Sequence, residues 1–278
     1  MGSYLRPTEL EEALAALAAR PRVVVAGGTD YYPARVGKPL DDDIVDISAL
    51  SALRRITEDD RFWRVPALAT WSDVIAAKLP PLFDGLKLAA REVGGMQIQN
   101  AGTVCGNLCN ASPAADGTPN LLALDAQVEL ASAAGRRVLP VQEFVTGNRR
   151  TVRRGDELVT ALLVPKPAGA ARSTFVKLGA RKYLVISIVM IGAVVELNAD
   201  RTVATARIAV GSCSAVARRL PALEGRLVGE TLSPALADAV RADDLQPLAP
   251  IDDVRGTAAY RLDAAATLLR RALAELAR

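Results

Sequence analysis

Histidine is absent from this 278-residue chain. That removes Ser-His-Asp triads, Cys-His dyads, imidazole acid–base catalysis and ordinary His-containing zinc sites. Cysteine is scarce: Cys105, Cys109 and Cys213 are the three in the chain. They are too few to ligate a [2Fe–2S] cluster with four thiolates. An odd count also fits a reducing compartment better than a disulfide framework. Aromatic residues make up only 4%, so few side chains are available to stack on a planar ligand. Neither sign of charge dominates, with 34 basic and 31 acidic residues. This balance gives no reason to expect nucleic acid or an anionic membrane as partner. No long apolar run exists either. The longest lies between Tyr183 and Val195, is interrupted by Ser187, and falls short of the roughly 20 residues that span a bilayer. It reads as a buried strand. The N-terminus, Met1-Gly2-Ser3-Tyr4-Leu5-Arg6-Pro7, lacks the basic start and apolar core of a signal peptide. A cytoplasmic protein without membrane insertion is expected by default.

What is present suits a soluble globular protein of two domains or one large one: half of the residues are hydrophobic and 23% are charged. Thr8 with Glu11 has capping-box spacing, and Leu10, Leu14 and Leu17 fall on one helical face. Pro21 ends that helix. Arg22 to Ala26 reads as a buried strand, and a second strand is expected around Ile44 to Ile47. Short strand signals lie at Phe62 to Val65. A helix is expected from Trp71, capped by Ser72 or Asp73 and closed by Pro80 and Pro81. Residues 93–116 show no clean periodicity and read as a long internal loop, after which Asn120 to Leu124 and Gln127 to Leu130 resume core patterning. Thr151 to Pro165 reads as a closing strand. Lys166 to Gly169 is the best boundary, followed by strands at Leu184–Leu197 and Thr202–Val210. A helix start at Ser233-Pro234 and a last helix capped by Thr257 complete an α+β pattern.

Two segments carry the chemistry. Ala26-Gly27-Gly28-Thr29-Asp30 follows a strand directly. Adjacent glycines let the backbone turn sharply and approach a ligand, and successive N–H groups in such a turn can hold phosphate oxygens. Gly27 to Asp30 would also serve an ordinary tight turn. The spacing is neither G-x-G-x-x-G nor a Walker A loop. The second segment runs from Gly94 to Asp116 and is dense in amides, hydroxyls and glycine. An extended ligand with a diphosphate and riboses would satisfy those polar groups. Asp116 is suited to accept bonds from ribose hydroxyls.

These segments resemble the FAD-binding flavoprotein subunits of the molybdenum hydroxylases, the xanthine dehydrogenase and carbon monoxide dehydrogenase type. The first loop matches as Ala26 to Asp30, the second as Gln97 to Leu108 and Ala111 to Asp116. Further matches are Gly147 to Thr151, Asp156 to Thr160, Phe175 to Lys182 and Asp253 to Arg261, in the right order along nearly the whole chain. Cys105 stands where the family usually has glycine, which strains it if the site needs a left-handed backbone. Gln99 stands where it usually has arginine.

The resemblance implies a two-part FAD-binding domain of the PCMH/vanillyl-alcohol-oxidase type, at 1–55 and 56–168. A smaller C-terminal α+β domain of the CO dehydrogenase flavoprotein type would follow at 169–278. It implies FAD as cofactor. Gly27, Gly28, Thr29 and Asp30 would hold the pyrophosphate, with Ala26 beside them. Thr103, Val104, Cys105, Gly106 and Asn107 would form a second cradle, and Asp116 would bind the ribose side. Lys177 and the stretch with Lys182, Tyr183 and Leu184 would lie near the isoalloxazine ring. Tyr31 and Tyr32 are the other aromatic candidates. No catalytic acid or base and no metal ligand is expected in this chain. The molybdenum cofactor would sit in a large partner subunit and the [2Fe–2S] clusters in a small one. Electrons would leave to NAD, oxygen or another carrier. The rivals are a self-contained FAD oxidase of the same fold and a flavin-free scaffold subunit. Arg149, Arg150, Arg153 and Arg154 read as solvated surface or a partner dock, and Cys105 and Cys109 as buried thiols.

Overall fold

The computed structural model describes residues 2–278. Its first layer contains β1 (Tyr4–Leu5), α1 (Leu10–Ala19), β2 (Val23–Val25) and β3 (Ile44–Asp46). The three strands are parallel, in the order β1-β3-β2. The helix buries Ala13, Leu14 and Leu17 against Val45, Ile47 and Leu50. It starts one residue later than Thr8 and Glu11 suggest. Glu9 is the N-cap without a side-chain cap bond, and the Thr8 N–H turns to Glu12 instead.

The second layer runs through β4 (Thr57–Glu58), β5 (Phe62–Pro66), α2 (Trp71–Ala76), α3 (Asp84–Glu92), α4 (Met96–Ala101), α5 (Val104–Asn110) and α6 (Gly117–Ala123). It continues with β6 (Gln127–Ser132), β7 (Gly135–Pro140), α7 (Val141–Phe144), the hairpin β8 (Val145–Gly147) and β9 (Arg150–Thr151), and β10 (Leu158–Pro165). Five strands form an antiparallel sheet in the order β4-β5-β10-β6-β7. Its core holds Trp71, Phe83, Leu108, Leu121 and Leu162. The cap of α2 is Thr70, neither Ser72 nor Asp73. Thr70 and Asp73 form a reciprocal capping box, with Asp73 at the third helical position. Residues 93–116 are not a loop: α4 and α5 occupy them. Each is under two turns, too short for a 3.6-residue period to show in sequence.

The third layer holds β11 (Ala170–Leu178), β12 (Val189–Leu197), β13 (Val203–Gly211), β14 (Arg218–Arg219), α8 (Pro221–Leu227) and α9 (Ala258–Leu276). The four strands are antiparallel in chain order. Leu268, Leu269, Leu273 and Leu276 of α9 pack on Ile191, Val195 and Ile208. Thr257 caps α9 as expected, accepting the Tyr260 N–H at 3.2 Å. The strand expected from Leu184 begins only at Val189. Leu184 takes a left-handed φ of 52°, and Arg181 Nη2 holds its carbonyl at 2.6 Å, so residues 179–187 leave the sheet. The turn after Ser233 is a 3-10 helix, Pro234–Ala239.

The second and third layers meet without a gap. A Cβ on Gly85 would lie 2.7 Å from the Thr174 carbonyl oxygen, and one on Gly192 would lie 2.8 Å from the Asn120 N. α3 and α6 therefore press directly on β11 and β12.

Candidate functional site

The loop after β2 is built for close approach. Gly28 has φ +65°, a left-handed conformation that costs glycine little. A Cβ on Gly27 would sit 1.9 Å from the Ala101 carbonyl oxygen at the end of α4. Only glycine lets these two backbones touch. Ala26 is half-buried and packs into the first core. The turn closes through Tyr32 N–H donating to the Gly28 carbonyl at 3.1 Å. Among the described residues, the N–H groups of Gly27, Gly28, Thr29 and Asp30 donate to no backbone carbonyl. Consecutive free donors in a tight turn are able to hold an anion.

The second segment comes to the same place. A Cβ on Gly102, between α4 and α5, would lie 3.2 Å from Thr29 Oγ1. Thr103 caps α5, its hydroxyl accepting the Gly106 N–H at 2.9 Å. Val104 N–H donates to the Ala69 carbonyl and Asn107 N–H to the Thr103 carbonyl. Cys105 lies inside this right-handed helix, so the strain expected at a left-handed position does not arise. The side chains of Val104 and Cys105 point into the core, and the Cys105 thiol lies 3.7 Å from the Val65 carbonyl oxygen. Burial pushes the Cys105 thiol well above its ordinary pKa, Cys109 up to about 11 and Cys213 up to about 12. None of the three is poised as a nucleophile.

Asn107 is different. Its Oδ1 is buried and has no hydrogen-bond partner. It lies 2.9 Å from where Gly117 would carry a Cβ, and the Trp71 ring lies 2.7 Å from that same position. A buried amide oxygen without a partner calls for one.

Asp116, at the N-cap of α6, is buried. Its Oδ2 pairs with Lys177 Nζ at 2.7 Å and its Oδ1 accepts the Ser187 hydroxyl at 2.6 Å. The Lys177 side chain is 6% exposed and that of Asp116 is 8%. Burial raises the Asp116 pKa above the ordinary carboxylate value, against the opposing pull of Lys177. Lys177 also lines a cleft of about 330 Å³ with Leu88, Glu92, Phe175, Arg181 and Lys182. Tyr183 and Leu184 are exposed beyond it, and Lys182 lies over the Tyr183 ring.

Tyr31 and Tyr32 pack edge to face at 5.1 Å. Tyr31 donates to Asp42 Oδ2 at 2.7 Å, and Arg35 covers its ring at 3.8 Å. Burial, and then Asp42, raises the Tyr31 pKa. The Tyr32 ring lies 2.6 Å from where a Gly28 Cβ would be, under the loop itself. The two glycine-bearing segments singled out in the sequence lie together here, joined by Trp71, Ser187 and Arg149, whose places the sequence does not signal. That arginine donates to Asp30 Oδ2 at 2.7 Å and also to Asn110 Oδ1. The glycine and asparagine before it mark a hairpin tip; its partners lie too far off in sequence to read.

These parts adjoin one another as a track of neighbouring residues. Free N–H groups at 27–30 lead past Gly102 and Trp71 to the orphaned Asn107 amide. Gly117 and Asp116 then lead to the cationic cleft. The donors, the orphaned amide and the Cβ-free approaches fit a long, doubly anionic cofactor. The fold is α+β, and these residues are of the kind that hold a dinucleotide.

The comparisons narrow that class. Residues 1–167 match the FAD binding domain in molybdopterin dehydrogenase, and residues 174–276 match the CO dehydrogenase flavoprotein C-terminal domain. The chain belongs to this family of FAD-binding subunits of molybdenum-containing dehydrogenases. It is 29% identical to the nicotine 6-hydroxylase medium subunit of Paenarthrobacter nicotinovorans, over 98% of this chain and 96% of that one. It is 32% identical to the caffeine dehydrogenase subunit beta of Pseudomonas sp. strain CBB1, over 99% and 94%. Its structure is similar to a chain of quinoline 2-oxidoreductase from Pseudomonas putida 86, with TM-score 0.88 and 26% identity, over 100% and 97%. No helix among the described residues is long and apolar enough to cross a membrane.

Proposed function

We propose that this chain is the electron-transfer subunit of a heterotrimeric molybdenum hydroxylase in the cytoplasm. It would take electrons from [2Fe–2S] clusters of a small partner subunit and pass them to an external acceptor such as NAD or oxygen. Substrate would be oxidised at a molybdenum cofactor in a large partner subunit. Bound FAD supplies the redox centre, which accepts and releases the electrons; the protein binds, orients and tunes it. The domain division of 1–55, 56–168 and 169–278 suits this reading, with FAD-binding parts first.

The observation that carries the reading is the contact between Gly27 and Ala101, which sets free N–H groups against the α4–α5 segment. Gly27, Gly28, Thr29 and Asp30 hold the diphosphate through their N–H groups. From α5, the second cradle of residues 103–107 works chiefly through the Asn107 amide, which turns to offer oxygen or nitrogen. Asp116 faces the ribose side only in part, because both of its oxygens already have partners. Its larger part is to hold the Lys177 side chain in place beside the cleft. Lys177, Lys182, Tyr183 and Leu184 would hold the isoalloxazine ring near that cleft. With no histidine in the chain, an electron relay asks for no imidazole acid or base here.

The test is purification of the chain with and without its partner chains. The chain alone should be yellow and carry FAD without iron or molybdenum. The complex should add both metals, and its flavin should bleach when a substrate is supplied. Flavin that is reduced by substrate without partner chains would instead support the solitary oxidase. A colourless chain that rejects added FAD would support the scaffold.

A further inference from the structure

Asp30 presents a problem for a diphosphate site. It lies at the end of the donor loop and is 53% exposed, and a bare carboxylate there would repel the ligand. Arg149 answers it from 119 residues away. Its Nη1 donates to Asp30 Oδ2 at 2.7 Å and also to Asn110 Oδ1 at the last residue of α5. The backbone holds this arginine in place. Arg149 takes φ 57°, unusual for a residue with a Cβ, and its N–H donates at 2.9 Å to the carbonyl of Ala111, which is also left-handed at φ 49°. The rest of the basic run does not join it: Arg153 donates to the Glu157 carbonyl, and Arg154 pairs with the Glu157 side chain. Two segments of the track therefore end on one guanidinium.

We propose that Arg149 is a positioning residue for FAD, one that acts through Asp30. It latches the 26–30 loop to the end of α5 and cancels the carboxylate that would otherwise face the diphosphate. An exposed ion pair of this kind adds little to folding stability. Its contribution is to the charge and placement of the loop, so it appears in cofactor affinity. The inference rests on the proposed diphosphate position at 26–30.

The test is a double-mutant cycle on the full chain freed of flavin, with FAD dissociation constants read from flavin fluorescence. The proteins are wild type, Arg149→Met, Arg149→Lys, Asp30→Asn and Asp30→Asn/Arg149→Met. Arg149→Met should raise the dissociation constant about tenfold, whereas Arg149→Lys, which keeps the charge, should stay within about threefold of wild type. Asp30→Asn should change it by no more than about threefold, and adding Arg149→Met to Asp30→Asn should cost no more than about threefold further. Melting curves without FAD should superimpose. The proposal is overturned if Arg149→Met binds like wild type, or if it costs as much in the Asp30→Asn background as alone, which would mean direct contact with phosphate. Gly27→Ala, measured alongside, separates this from the underlying reading: if it leaves affinity unchanged, the loop is not the diphosphate site.

Discussion

The space where Gly27 would carry a Cβ is filled by the carbonyl oxygen of Ala101, 1.9 Å away. Residues 74 positions apart thus share one backbone contact, and that contact sets the floor of the proposed cofactor track. The clash involves main chain on both sides, so no rotamer change relieves it.

Gly27→Ala should therefore push the 26–30 loop away from α4. We expect a loss of about 1–3 kcal/mol in urea unfolding and at least about tenfold weaker FAD binding. Gly37→Ala is the control. Gly37 also has a left-handed φ of 76°, but nothing lies within 4 Å of its Cβ position. It should cost only about 1 kcal/mol, from backbone strain alone, and leave FAD affinity unchanged. Equal effects of the two substitutions would mean that the contact with Ala101 has no special place.

Asp116 and Lys177 form a buried pair across the second and third layers. Removing one partner leaves the other buried without its counter-charge. Lys177→Met or Asp116→Leu should each cost about 3–5 kcal/mol of stability, read from urea midpoints. The double substitution should cost clearly less than their sum. Strict additivity would show that the two charges do not depend on each other.

The sequence makes the glycine loop and the order of the motifs legible, because a turn with special backbone demands leaves a residue signature. The pairing of Asp116 with Lys177 leaves none: the two are singled out separately, and nothing in sequence joins charges 61 positions apart. Arg149 is hidden for the same reason, inside a run that reads as solvated charge. α4 and α5 are missed because two short helices joined at Gly102-Thr103 never complete a readable period. β12 starts late because Leu184 turns left-handed and Ser187 leaves for Asp116, a tertiary pull that local propensity cannot report.

Asp253 supplies a pH test. The Arg255 N–H, more than any other contact, holds its carboxyl down at about 2, with Arg261 adding to the effect. Arg261 is buried and donates at 2.6 Å to the Ile188 carbonyl and at 2.7 Å to Asp253. A carboxylate whose folded pKa is depressed adds stability above its unfolded pKa and loses it as pH falls through the folded value. Wild type should therefore lose stability between about pH 4 and pH 2 more steeply than Asp253→Asn does. Urea midpoints measured across that range check it; parallel curves would contradict it.

The cysteines give a simple chemical check. With Cys109 near 11, Cys213 near 12 and burial raising Cys105 well above its ordinary value, the native thiols are protonated at pH 8. A disulfide reagent should react slowly with the folded protein and titrate all three thiols after unfolding. A thiol in the native protein that reacts at the rate of free cysteine would contradict this placement.

Amide hydrogen exchange, followed residue by residue with and without FAD, bears on the central point most directly. Exchange at Gly27, Gly28, Thr29 and Asp30 should be fast in the flavin-free chain and slow sharply when FAD is added, while the Gly106 N–H, already bonded to Thr103, should change little. FAD that binds tightly yet leaves exchange at 27–30 untouched would contradict the account.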